Sequence, residues 1–305
     1  MLDFIPKIWY KDIAFYFKKI WRDFIMKKFL CLMLALSMFG VLFAGCTKDA
    51  TPATPESAVT DEAEGVDEAV ASDLAYVKEK GTLVVGITDF APMDYQDETG
   101  AWIGFDADMA KAFAEDLGVA VEFQVIDWDN KVLELDSKNI DVVWNGMTLT
   151  DEVKSAMECS NAYCNNAQVV IVPAEVADQY ADVESVKALN FAVESGSAGQ
   201  AQVEALGASY TEVLDQATAL LEVSTGTADA AVIDSLMAAA MVGEGTSYES
   251  LTYTVALNSE EYGVGFRKGS DLAAALNDFF AASYADGSME ACAQTYGVQA
   301  ALIAQ

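Results

Sequence analysis

Apolar residues in this chain cluster into short strand-length blocks, and the stretches between the blocks carry helical spacing. Thr82–Ile87, Ala120–Ile126, Asp141–Trp144, Val169–Pro173, Asn190–Val193, Asp229–Ile233 and Tyr262–Phe266 read as strands. Between them Phe105, Met109, Phe113 and Leu117 recur every fourth residue, which places them on one helical face. Further helices are expected over Asp73–Lys80, from Asp129 to Ser137, from Ala198 to about Leu206, over Gln216–Val223, Asp271–Asp286 and Met289–Tyr296. Strands alternating with helices imply an α/β fold built on a largely parallel sheet. The pattern restarts after Pro173. A shift of 88 positions lays Leu133, Leu135, Ser137 and Asp141 on Leu221, Val223, Thr225 and Asp229, so two lobes on one plan are expected.

The most informative stretch is Ile140–Lys154. An apolar strand breaks at Asn145-Gly146-Met147-Thr148 and resumes as a helix at Thr150-Asp151-Glu152, with a capping hydroxyl and an acidic first turn. Open α/β sheets bind small molecules at the carboxyl ends of their strands. Other strand ends carry Phe90, Trp128, the Glu194–Gly199 segment and Asp234. Each has a plainer reading: the stretch as an ordinary strand-to-helix loop, the rings as core, and Asp234 as cap of a helix from Ser235. The shift of 88 pairs Gly146 with Asp234, so the two strand ends are expected to face each other across a cleft.

The N-terminal region reads as an address. Met26-Lys27-Lys28 opens a basic segment, Phe29–Ala44 is an apolar run, and Leu42-Phe43-Ala44-Gly45-Cys46 resembles the bacterial lipobox. That resemblance implies cleavage before Cys46 and lipidation of Cys46, with residues 26–45 as signal peptide and a lipid anchor on the outer face of the cytoplasmic membrane. Residues 1–25 are aromatic and basic; they read either as an interfacial helix or, the favoured expectation, as an extension upstream of a true start at Met26. Residues 46–75 are rich in Pro, Thr and acids, a composition suited to a flexible linker.

Composition narrows the chemistry. The chain has no His, which removes the commonest general base and zinc ligand. A formal charge of −31 speaks against nucleic acid as partner. Removing residues 1–45 takes away 7 of 17 basic and 3 of 48 acidic residues, leaving 10 against 45 and a net charge of −35. Arg267 is then the one arginine left. Of the cysteines, Cys159 and Cys164 read as a bridge or as buried free thiols.

Gly104-Phe105-Asp106-Ala107-Asp108-Met109-Ala110 resembles the G-F-D-x-D-[LM]-A motif of the family 3 extracellular solute-binding proteins. Phe90-x-Pro92, Asp127-Trp128, Asn145–Thr150, Gly196-Ser197, Ala230–Asp234, Glu261-Tyr262-Gly263 and Arg267-Lys268-Gly269 follow in the order of that family. The resemblance implies a periplasmic-binding type II clamshell, with residues 76–172 plus 257–305 as one lobe and 173–256 as the other. It implies a polar amino acid, or a similar small zwitterion or amine, in the cleft, an ABC permease as partner, and a monomer. Carried over residue by residue, Phe90 and Trp128 sandwich the ligand. Asn145, Gly146 and Thr148 bond its main-chain atoms, Ser197 and Ala198 offer helix N–H groups, and Asp234 takes the ammonium. No catalytic residue, cofactor or metal is implied.

One position departs from the family pattern. Where it has an Arg gripping the ligand carboxylate, this chain has Val153. The resemblance puts Arg267 at the surface, away from the cleft, which leaves backbone N–H groups, Thr148, Asn145 or Lys154 for that carboxylate. Asp89 and Asp94, as spare acids, would suit an amine-rich ligand. Rival classes are a dehydratase-like enzyme on the same fold and a solute-sensing module.

Overall fold

A computed structural model describes residues 72–305. The expectations for residues 1–25, the signal peptide, lipidated Cys46 and most of the linker lie outside the described residues. Helix α1 (Asp73–Lys80) starts on Ser72, whose hydroxyl accepts from the Ala75 N–H at 3.0 Å. Strand β1 (Thr82–Ile87), the small hairpin β2 (Tyr95–Gln96) and β3 (Trp102–Ile103), helix α2 (Phe105–Leu117) and strand β4 (Ala120–Val125) follow. A 3₁₀ turn at Trp128–Asn130 runs into α3 (Lys131–Asp136), then β5 (Val142–Thr148), α4 (Asp151–Ala156), β6 (Glu158–Cys159) and β7 (Cys164–Asn166).

The second set begins with β8 (Gln168–Pro173) and α5 (Val183–Val186). It continues through β9 (Asn190–Glu194), α6 (Ala198–Leu206), β10 (Ser209–Val213), α7 (Gln216–Ser224), β11 (Ala230–Asp234), α8 (Ser235–Met241) and β12 (Leu251–Ala256). The chain then returns through β13 (Glu260–Phe266) to α9 (Leu272–Asp286) and α10 (Ser288–Tyr296).

Two sheets result. The first has the order β4-β1-β5-β13-β6, with β7 also paired to β13; the second has the order β10-β9-β11-β8-β12. In each, three strands run parallel and the returning strand, β13 or β8, is antiparallel to them. The repeated plan read from the 88-residue shift is visible in these orders, with β9, β10 and β11 standing where β1, β4 and β5 stand.

Chain crosses between the sheets twice, at Ala167 and at Leu257–Ser259. Because β8 pairs with β11 and β12, the changeover comes at Ala167, ahead of the expected 172/173 boundary. The second sheet needs an antiparallel strand beside β11, and the apolar block Val169–Val172 supplies it.

The lobes fill their cores differently. The first stacks rings: Trp144 meets Phe113 and Phe280 edge-on, and Tyr163 leans on Phe280 and Tyr262. The second is built from aliphatic strand residues such as Val170, Val172, Val193 and Val232 around Phe191. Each fully buried large side chain contributes about 1.5–3 kcal/mol.

Two local expectations are corrected, and between the two readings of the cysteines the structure has the free thiols. Strand β5 does not end before Asn145 but runs through Gly146 to Thr148, with Gly146 at φ +55° and the pairing to β13 shifted between Gly263 and Gly265. Arg267 is not at the surface. It is buried, with its Nε within 3.0–3.1 Å of both Asp73 carboxylate oxygens and its Nη1 donating to the Leu135 and Ile140 carbonyls. Cys159, Cys164 and Cys292 are all free thiols.

Candidate functional site

The carboxyl ends of the parallel strands in both sheets open onto one cavity of about 380 Å³, in the size range of small-molecule sites. Phe90, Trp128, Asn145, Gly146, Thr148, Ser197, Ala198 and Asp234 all line it. Asp89, Asp94 and Lys154 are not among the lining residues.

Phe90 sits in a tight turn in which its carbonyl accepts from the Met93 and Asp94 N–H groups. Its ring lies against the backbone of Gly146 and meets Tyr262 at a 6.3 Å centroid distance and 82°. A Cβ at position 146 would come within 2.4 Å of the ring, and the φ of +55° disfavours any side chain there. Glycine is therefore what lets an aromatic wall stand directly on a strand. Trp128 begins the 3₁₀ turn after β4 and forms a second wall.

Several expected contacts are already engaged within the protein. The Asn145 amide oxygen accepts from the Thr88 N–H and hydroxyl, and its NH₂ donates to the Thr88 carbonyl and Asp94. It ties β5 to β1 beneath the cavity floor. The Gly146 N–H donates to Asp106 at 2.7 Å. Thr148 donates to Glu260 at 2.9 Å. The Ser197 hydroxyl caps α6 by accepting from Gln200, which leaves the first-turn N–H groups of Ala198 and Gly199 without partners inside the helix.

Asp234 is a hub. Asn166, Gln168 (2.9 Å) and Tyr262 (2.8 Å) donate to its Oδ1, and Gln216 donates to its Oδ2. Asp234 does stand at the N-cap position of the helix from Ser235, as the plainer reading has it, but its carboxylate makes no capping bond there. Asn166 and Gln168 also donate to Glu260, so the two carboxylates brace both crossings between the lobes. Burial, with Glu260 nearby, pushes the Asp234 carboxyl up to about 7.

Asp94 is fully buried below the site, so it is not a spare acid for ligand; burial beside Asp106 holds its carboxyl well above the usual range. Asp106 accepts from Gly146 and from the Tyr163 hydroxyl, and burial raises it to about 7. The acid of the G-F-D motif thus holds the β5 glycine in place from beneath.

Two buried, charged lining residues are given no role by the sequence reading. Lys131, only 9% exposed, stands over the Trp128 ring at 5.0 Å. Its ammonium donates to the Trp128 carbonyl at 3.1 Å and, across the cleft, to the Gly196 carbonyl at 3.0 Å. Glu194, 3% exposed, ends β9 and has a carboxylate oxygen with no hydrogen-bond partner. Burial first, then Asp234 and Asp215, push its carboxyl up to about 8, against the pull of Thr88 and Lys131. Spacing held a signal for both: Lys131 is one helical turn after Trp128, and Glu194 ends its strand as Asp234 does.

Val153 lines the cavity as an apolar patch beside Trp128 and Val132. No group of three or more acids or thiols suited to a metal ion occurs among the described residues. No helix among them is long and apolar enough to cross a membrane.

Two α/β lobes joined by two crossings, with a polar and aromatic cavity between their strand ends, define a two-lobed binding protein of the type II periplasmic class. Comparison with known sequences agrees, since residues 83–299 match the bacterial extracellular solute-binding proteins, family 3. The chain belongs to that family. It is 30% identical over 224 residues to the L-cystine-binding protein TcyJ of Escherichia coli, covering 72% of this chain and 84% of that one. Among solved structures, the ancestral amino acid-binding protein AncCDT-1, a precursor of cyclohexadienyl dehydratase, is 30% identical with a TM-score of 0.68, covering 74% of this chain and 99% of that one. A histidine-bound substrate-binding protein of an ABC uptake transporter from Streptococcus pneumoniae is 27% identical with a TM-score of 0.67, covering 76% and 98%.

Proposed function

We propose that this chain is a lipid-anchored, extracytoplasmic receptor that captures an amino acid between its lobes and delivers it to an ABC permease. The observation that carries the reading is the cavity itself. Two ring walls from one lobe face a helix N-terminus and acids from the other, and both lobes line one cavity. Rings supply apolar area to a small solute, and its charged ends meet fixed groups on either side. Binding across two lobes stabilises the closed arrangement, which a permease can then distinguish from the open one.

The relatives support an amino acid as guest, since those named above are described as binding L-cystine or histidine or as amino acid-binding. Binding without chemistry is part of the proposal. The buried acids of the cavity are braced by amides and hydroxyls or stand singly at strand ends, and no histidine is available as a base.

Thermal-shift screening of the purified chain against amino acids tests the reading. A true ligand raises the melting temperature in proportion to the logarithm of its concentration once above its dissociation constant. No shift with any amino acid, or conversion of the bound solute to a product, would overturn it. Anchoring is tested separately: Cys46→Ala should abolish labelling by a radioactive fatty acid and release the protein from membranes. Unchanged labelling would contradict the anchor.

A further inference from the structure

The cavity holds a buried cation that pairs with no carboxylate and an acid with one unbonded oxygen, and they come from opposite lobes. Among the described residues Lys131 is the only basic one in the lining, against Asp129, Glu152, Glu194, Glu204 and Asp234. Its ammonium is buried, yet no carboxylate lies within 4.0 Å of it among the described residues, since it takes part in none of the ion pairs. Two of its three N–H donors go to the Trp128 and Gly196 carbonyls, so one remains for a guest. The carbonyl it holds, Gly196, immediately precedes the N-cap of α6, and Ala198, whose first-turn N–H has no partner inside the helix, lines the cavity at that same place. A buried charge without a counter-charge is costly, and the cost is relieved when an anion arrives.

Glu194 is the reciprocal case. Its side chain is as buried as that of Asp234, but where four donors occupy Asp234, one Glu194 oxygen has none.

We propose that Lys131, with the first-turn N–H groups of α6, binds the carboxylate of the ligand, and that Glu194 binds its ammonium. The inference rests on the amino-acid-receptor reading and deepens it. Val153 offers no charge, so an anion entering this cavity has Lys131 as its one basic contact. Because Lys131 rises from α3 in the first lobe and already reaches Gly196 in the second, a carboxylate seated on it touches both lobes at once. The same amine thus reads the ligand and latches the cleft. Burial lowers the Lys131 pKa from its ordinary value, while Glu194, Asp129 and Glu152 pull it back up.

Calorimetric titration of the purified chain with L-cystine, L-arginine and L-histidine identifies the tightest of the three. That amino acid is then compared with its decarboxylated counterpart: cystamine, agmatine or histamine. In the wild type, losing the carboxylate should weaken binding at least 30-fold. In Lys131→Met the amino acid should bind at least 10-fold more weakly, and the preference over the amine should shrink to less than 5-fold. Lys131→Arg should keep most of the preference. Glu194→Gln should weaken the amino acid and the amine alike, by 10-fold or more.

A preference for the carboxylate that survives in Lys131→Met overturns the assignment while leaving the receptor reading intact, as does an unchanged affinity in Glu194→Gln. Failure of all three amino acids to bind, with no shift from any other amino acid in the thermal screen, overturns the receptor reading itself. The melting temperature of each ligand-free variant separates loss of fold from loss of binding.

Discussion

The two lobes share one strand order and use it for opposite chemistry. Near the end of β5 the first lobe places a glycine, and the ring of Phe90 packs on it. At the matching end of β11 the second lobe places Asp234, enclosed by amides and a hydroxyl. The first lobe gives the cavity its two rings and its one cation; the second gives the helix N-terminus and the acids Glu194 and Asp234. Matching topology therefore fixes where a residue meets the cleft, while residue type decides whether that place is a wall, a floor or a charge. A guest with an apolar body and two opposite charges is the one that satisfies both halves.

Substitutions at the matched positions break the comparison hardest. Asp234→Ala strands the Asn166, Gln168, Gln216 and Tyr262 donors in the interior, and a buried donor left without its acceptor costs about 1–3 kcal/mol. Urea unfolding should show that loss together with disappearance of ligand binding. Gly146→Val forces a Cβ into the Phe90 ring at an unfavourable φ, for a cost of about 3 kcal/mol in the same assay. A smaller effect is expected for Trp128→Ala, where removing one ring wall should reduce affinity about 10- to 100-fold. Unchanged affinity there would mean that the ring belongs to the core alone.

Acidity sharpens the contrast further. Glu194 is pushed up to about 8, and Asp234 and Asp106 to about 7, all chiefly by burial. Such acids hold a proton more tightly folded than unfolded. They favour the native state below their ordinary values, and that contribution is lost as pH rises through 7 to 8. The ligand-free protein should accordingly melt several degrees lower at pH 8.5 than at pH 5, and Glu194→Gln should remove part of the difference. Amino-acid binding should move the other way and strengthen up to about pH 8 as Glu194 ionises. The smallest effect is assigned far from the cleft. Ser72→Ala removes the cap of α1 and should cost about 1 kcal/mol with affinity unchanged.

Much of this was legible in the residues. Strand blocks bounded by glycine and helices with caps gave the α/β alternation, and Ser72, Gly81 and Thr150 stand where the helix starts and stops were read. The strand-end rule located the rings, Gly146, Ser197 and Asp234 on one cavity. Periodicity could not show that β5 runs on through its glycine, because the antiparallel partner that holds it, β13, lies more than a hundred residues away. Nor could it show that Asn145 donates to the buried Asp94, since buried polar pairing depends on which strands meet. A lysine at the start of a helix ordinarily faces solvent, so spacing gives no sign that Lys131 reaches Gly196 of the second lobe. Nor does it show that Asp73 of the first helix draws the Arg267 guanidinium inward.

A crystal structure of the chain grown with the tightest-binding amino acid tests the central claim most directly. The expected result is ligand between Phe90 and Trp128, in contact with residues of both sheets. Ligand bound outside that cavity, or held by one lobe alone, would contradict it.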